Sequence, residues 1–168
     1  MLKISVRPFA FALAATAAFL LTVGPASAKA KTYKFSKLAC EVTVPGGWKK
    51  TAMKPGEMVK FKMLPSGTFS ITRKNKKLPL NKISKGVKKV GKKKGWKLIN
   101  ELKNIKHRGK RAHLLSHLIP TKKKGLFVRV DHFFVNTPTG YYTLMFASSA
   151  KDFKPGKYKK VYSTFHSR

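Results

Sequence analysis

The groups in this chain that could do chemistry are five histidines, five carboxylates, one cysteine and a large excess of lysine. His113 and His117 fall on the alternating stretch Arg111–Ile119, so on a strand they share one face. If Ile119 pairs with Leu126 across the intervening turn, His113 comes opposite His132. Three imidazoles within reach of one another could ligate zinc or copper. In that register Asp131 points to the other face, so no carboxylate joins the set. The competing reading is three ordinary histidines at a surface or core boundary.

Catalytic arrangements lack parts. General acid–base work needs a carboxylate or imidazole beside a partner that tunes it. Glu41, Glu57, Glu101, Asp131 and Asp152 are scattered, with no paired spacing. There is no G-x-S-x-G, no P-loop, no H-E-x-x-H and no C-x-x-C. Cys40 is the only cysteine, which excludes an intramolecular disulfide. It alternates with Leu38, Val42 and Val44, the setting of a buried and unreactive thiol. The chain is therefore expected to be no enzyme and to need no cofactor.

Charge is the extreme feature. The chain carries 38 lysines and arginines against 5 acidic residues, a net +33. From Met58 to Asn100 there is no acidic residue. Within that stretch stand Arg73, Lys74, Lys76, Lys77, Lys82, Lys85, Lys88, Lys89, Lys92, Lys93, Lys94 and Lys97. Like charges three or four apart on a helix destabilise it by about 0.2–0.5 kcal/mol a pair. A surface made only for solubility would mix signs. A polyanion would screen the repulsion, which makes these twelve residues a candidate anion-binding surface. The alternative is a solvated face without a ligand.

The elements that must position these groups are legible from hydrophobic periodicity. Leu38–Val44 alternates as a half-buried strand, stopped by Pro45-Gly46-Gly47 ahead of Trp48. Met58–Leu64 and Thr68–Arg73 flank Pro65-Ser66-Gly67 as a hairpin, with Val59, Phe61 and Met63 on the face of Phe69 and Ile71. Asn81–Lys94 is the helix candidate, its stripe formed by Ile83, Val87 and Val90 and its end by Gly95. Trp96–Ile105, Arg111–Ile119, Leu126–Val135 and Tyr141–Ala147 read as strands. Tyr158, Val161, Tyr162 and Phe165 recur at helical spacing after Gly156, so a last helix closes the domain. The fold class expected is α+β: an antiparallel sheet with helices packed on its faces.

Lys3 and Arg7 precede an uncharged apolar run from Phe9 to Val23, and Ala26-Ser27-Ala28 follows as a peptidase site. The run is short of the roughly 20 apolar residues a membrane span needs. Residues 1–28 are thus expected to be a cleaved signal peptide. Leu38-Ala39-Cys40 has a lipobox look, but Lys29, Lys31, Lys34 and Lys37 separate it from the apolar run, so no acyl anchor is expected. Residues 29–168 then form one basic domain, secreted or periplasmic, with no transmembrane span.

The order strand, Val44-Pro45-Gly46-Gly47-Trp48, hairpin, helix, antiparallel strands and last aromatic helix resembles the PsbP/DcrB/Mog1-like superfamily. So do the aromatic strand Tyr141-Tyr142-Thr143-Leu144-Met145-Phe146 and the Ser163-Thr164-Phe165 ending. The resemblance runs over Tyr33–Phe165 and implies an antiparallel sheet between helices. It also implies binding or accessory roles at membranes and envelopes more often than catalysis. The chain departs in lacking a lipobox and in its lysine content, and no ligand-binding motif of the family maps onto it. The functional expectation is an exported, non-catalytic binding or accessory domain. Its lysine-rich surface would meet an anionic envelope polymer, lipid headgroups or an acidic protein, and sequence-specific nucleic-acid reading is not expected. The alternative is a metal-handling or enzymatic domain built on His113, His117 and His132.

Overall fold

The computed structural model describes residues 29–54, 58–63 and 66–168. The expected signal peptide, Glu57, and Leu64 and Pro65 of the expected hairpin lie outside them. The strands are β1 (Lys31–Phe35), β2 (Cys40–Val44), β3 (Lys49–Lys54), β4 (Met58–Lys62), β5 (Thr68–Lys74), β6 (Lys97–His107), β7 (Lys110–Pro120), β8 (Phe127–Thr137), β9 (Gly140–Ser149) and β10 (His166–Ser167). Helix α1 (Leu80–Lys93) follows β5, and α2 (Pro155–Thr164) precedes β10. The pairs are antiparallel throughout, in a seven-stranded sheet ordered β3-β4-β5-β9-β8-β7-β6 and a three-stranded sheet ordered β1-β2-β10.

The alternation read from the sequence decides which face each strand buries. Val59, Phe61, Phe69, Ile71, Phe133, Val135, Tyr142, Leu144 and Phe146 share one face of the large sheet. They pack with Val42 and Val44 of β2 and with Tyr158, Val161 and Tyr162 of α2. Trp48 reaches this core because Gly47 takes a φ of 83°, which turns the chain after Pro45 at no steric cost. Its ring lies 5.8 Å from Phe69 and 6.0 Å from Phe146. The end of α2 is tied to β2 by Thr164, whose Oγ1 accepts from the Thr43 N–H at 3.0 Å.

The opposite face of the large sheet carries α1. Leu80, Leu115 and Phe134 form a second core there, with Ile83 and Val87 packed against it. Helix α1 ends in a Schellman pattern: the Trp96 N–H bonds the Gly91 carbonyl at 2.8 Å and the Gly95 N–H bonds the Lys92 carbonyl at 3.2 Å. Gly95 supplies the required positive φ, 69°. Gly91 faces the sheet, where a Cβ would come within 3.3 Å of the Trp96 ring and 3.6 Å of His117. Among the described residues no helix is long and apolar enough to cross a membrane.

The structure corrects three details. Leu38 is buried but lies in the Ser36–Ala39 turn, and β2 starts at Cys40, after Ala39 at φ 48°. Val90 is not part of the buried stripe; it is 47% exposed, and Ile83 and Val87 are joined on the sheet side by Leu80, Ser84 and Gly91. The expected apolar match missed these because two of them are small. Finally, Ile119 pairs with Val128 and not with Leu126. Leu126 ends the turn, its N–H bonded to the Lys123 carbonyl after Gly125 at φ 76°.

Candidate anion-binding face and the buried histidines

A two-residue change of register leaves every side chain on its face and changes every partner. His113 therefore faces Phe134, while His132 faces Leu115, and His117 faces Val130. The expected triad of His113, His117 and His132 is not assembled. His117 and His132 do meet on the diagonal, ring centroids 5.7 Å apart and nearly perpendicular. Trp96 covers both, at 5.8 Å from His117 and 6.5 Å from His132. Both rings are buried, and neither Nδ1 has a hydrogen-bond partner among the described residues. Burial holds the His132 pKa down to about 4, and the neighbouring His117 adds to the effect. Burial likewise lowers the pKa of His117, against the pull of Asp131.

His113 belongs to a different set. Its Nδ1 accepts from the Ser84 hydroxyl of α1 at 3.1 Å, and its Nε2–H donates to the Asn104 side-chain oxygen at 3.4 Å. Burial lowers the His113 pKa, which favours the neutral ring, and the Asn104 oxygen as acceptor then places the proton on Nε2. Among the described residues no three His, Cys, Asp or Glu side chains come together as a metal site.

The described carboxylates are held by partners. Glu41 bonds Arg168 at 2.9 Å, Glu101 bonds Lys88 at 2.9 Å, and Asp131 bonds Arg129 at 3.2 Å. Asp152 accepts from the Ser66 hydroxyl at 2.9 Å. Burial pushes the Cys40 thiol up to about 12, so it stays protonated at neutral pH.

The twelve basic residues separate into groups. On α1, Lys82, Lys85, Lys89, Lys92 and Lys93 are exposed. At 3.6 residues per turn they occupy an arc of roughly 100° on the side away from the sheet. Lys94 caps the helix end, and Lys74, Lys76 and Lys77 are exposed at the end of β5 and in the connection leading to α1. Lys88 stands apart: it turns to β6, and its ammonium donates to both Glu101 oxygens, at 2.9 and 3.0 Å. That bond is the main reason the Glu101 pKa is lowered. The helix has no acid of its own, yet it borrows one from the strand beneath it.

Arg73 and Lys97 do not join the α1 face. Arg73 pairs with Tyr142 on the opposite side of the sheet, its guanidinium 5.9 Å from that ring and bonded to Thr139 at 3.3 Å. Lys97 pairs with Leu118, out of phase with Leu98 and His117 on the α1 side. Glu101 sits in sequence just past the acid-free stretch, which was the available signal for the Lys88 pair. Nothing in the spacing showed that it would lie under Lys88.

Comparison with solved structures places this architecture. A protein of unknown function, PA94 from Pseudomonas aeruginosa, described as a putative regulator, superposes with a TM-score of 0.58 at 17% identity. The match covers 83% of this chain and 97% of that one. The Saccharomyces cerevisiae Ran-binding protein Mog1p superposes with a TM-score of 0.58 at 10% identity, over 84% and 96% of the two chains. The fold is Mog1-like. A point mutant of Mog1 gives a TM-score of 0.57 at 9% identity, over 82% and 95%. At these identities the likeness is one of fold. No protein-family model matches the sequence, and no curated protein matches it. The Mog1-like α+β sandwich of antiparallel sheets and two helices agrees with the fold class read from the sequence, and the chain's own structure has the turn at Trp48 and the closing helix α2.

Proposed function

We propose that this chain is an exported, non-catalytic binding or accessory module that engages anionic components of the cell envelope through the solvent side of α1. The observation that carries this reading is the arc of Lys82, Lys85, Lys89, Lys92 and Lys93, exposed and without an acidic residue in the first turn of the helix. Fixed like charges on one face raise the local anion concentration and favour any ligand that screens them. The leader-like residues 1–28 support an envelope or extracellular setting. A Mog1 structure carries the description Ran-binding, and an acidic protein is the corresponding partner class here.

The test is polyanion binding as a function of salt. Lys85, Lys89, Lys92 and Lys93 are replaced together by Gln, which keeps helix propensity. Lys88 is left intact, because its removal would strip the partly buried Glu101 of its partner. A variant with Lys122, Lys123, Lys124 and Lys159 changed to Gln controls for net charge. On duplex DNA the slope of log K against log salt is about −0.9 per phosphate contacted. The α1 variant should lose affinity and salt slope, and the control should keep most of both. Equal loss in the two variants would mean diffuse charge and no site on α1.

A further inference from the structure

At the start of α1, helix and sheet line a half-open cavity of about 390 Å³. Proteins hold small molecules in cavities of about 300–1,000 Å³. The first turn of α1 forms one wall, including Asn81. Lys103 and Asn104 come from β6, Arg111 and His113 from β7, and Asn136 from β8. No carboxylate lines it among the described residues.

Three observations select an anion. Arg111 stands directly opposite Lys106 in the β6–β7 register, where like charges repel. Neither has a carboxylate partner among the described residues, and Lys103 shares Glu101, at 3.7 Å, with the closer Lys88. Helix α1 begins after Pro79 with no acid in its first turn, and although the Lys82 N–H is taken by the Asn81 side-chain oxygen at 2.8 Å and the Pro79 carbonyl at 2.9 Å, the Leu80 and Asn81 N–H groups remain at the helix start. Uncapped N–H groups at a helix start favour negative charge in front of them. The polar lining is otherwise amide and imidazole. His113 is fixed by Ser84 and Asn104 and contributes a neutral wall.

We propose that this cavity binds a phosphate monoester. Arg111 presents a planar fork suited to two phosphate oxygens, and Lys103 adds a second cation. The Leu80 and Asn81 N–H groups at the start of α1 meet the remaining oxygen. A bare phosphate would leave much of the space empty, since each water takes only roughly 30 Å³. The organic part of the ester lies toward Asn104 and Asn136, whose amides suit hydroxyl groups. The site is distinct from the lysine arc and does not rest on it, because the arc faces solvent along α1 while the cavity lies at the helix start.

Glycerol 3-phosphate is the probe, titrated into the purified protein and followed by the backbone and side-chain amide resonances. The shifts should be confined to Leu80, Asn81, Asn104, Arg111 and Asn136, and inorganic phosphate should bind more weakly. Arg111→Gln, at an exposed position, should weaken binding about tenfold or more. Lys103→Gln should weaken it several-fold, and Lys124→Gln should leave it unchanged. The variant lacking Lys85, Lys89, Lys92 and Lys93 should still bind the probe, whatever becomes of its polyanion affinity. Shifts spread along the exposed lysines would overturn the proposal. So would equal losses for Arg111→Gln and Lys124→Gln, or inorganic phosphate binding as tightly as the ester.

Discussion

Removing the buried imidazole of His132 should flatten the acid side of the stability profile. His132 is 8% exposed, lies between Trp96 and Phe134 and faces Leu115 and Met145 across the sheet. Among the described residues no carboxylate contacts it, and its titratable neighbour is His117. Its pKa falls from 6.5 in the unfolded chain to about 4 in the fold. Between those values the unfolded chain binds a proton that the folded chain refuses. The stabilisation is therefore complete above pH 6.5 and is lost as the pH drops toward 4. One pKa unit is worth about 1.4 kcal/mol, so the loss attributable to this ring is roughly 3 kcal/mol. His132→Leu keeps an apolar side chain of similar size and removes the titration. Unfolding free energies from urea titrations at several pH values between 7.5 and 4 give the comparison. The parent should lose about 3 kcal/mol more than the variant over this range. His107 and His113, whose pKa values are also lowered by burial, contribute equally to both proteins, and His117, which touches His132, owes its own lowering first to burial and so changes less than His132 does. Parallel curves for parent and variant would show that His132 is solvated in the native state, and the packing described around it would be wrong.

Two further outcomes follow from local geometry. The Cys40 thiol, buried and with its pKa pushed up to about 12, should react with a thiol reagent only on the unfolding timescale at pH 7.5; rapid labelling of the folded protein would contradict its burial. Gly140→Ala would place a Cβ 2.0 Å from the Lys74 carbonyl oxygen and 3.1 Å from the Asn75 Cα, both backbone atoms, so it should cost at least the upper end of the usual 1–3 kcal/mol, about 3 kcal/mol, and lower Tm by several degrees. Gly86→Ala, where a Cβ meets nothing within 4 Å, should instead raise stability by about 1 kcal/mol. Equal melting temperatures for these two variants would refute the close approach of β5 and β9 at Gly140.

Much of the fold was legible because period-two and helical patterns are local properties of the chain. Alternation in Arg111–Ile119 and Leu126–Val135 assigned His113, His117 and His132 to one face and Asp131 to the other, and that assignment agrees with the strand pairing. The Gly46-Gly47-Trp48 turn and the aromatic spacing of α2 likewise carried their own geometry. What alternation cannot determine is strand phase in steps of two, since a two-residue slide buries the same faces. The β7–β8 turn decided that phase by absorbing Leu126, and with it decided that His132 meets His117 and not His113. Nor could spacing foresee long-range partners. Breaks in the β6–β7 pairing, between Leu98 and Asn100 and between Leu102 and Ile105, accompany the positive φ of Asn104 and bring it to His113. Glu101 reaches Lys88 only because α1 lies across β6. The lysine excess was set by the sequence alone. Which lysines face solvent together, and which cavity lies at the head of their helix, was decided by packing, because both depend on contacts between segments far apart in the chain.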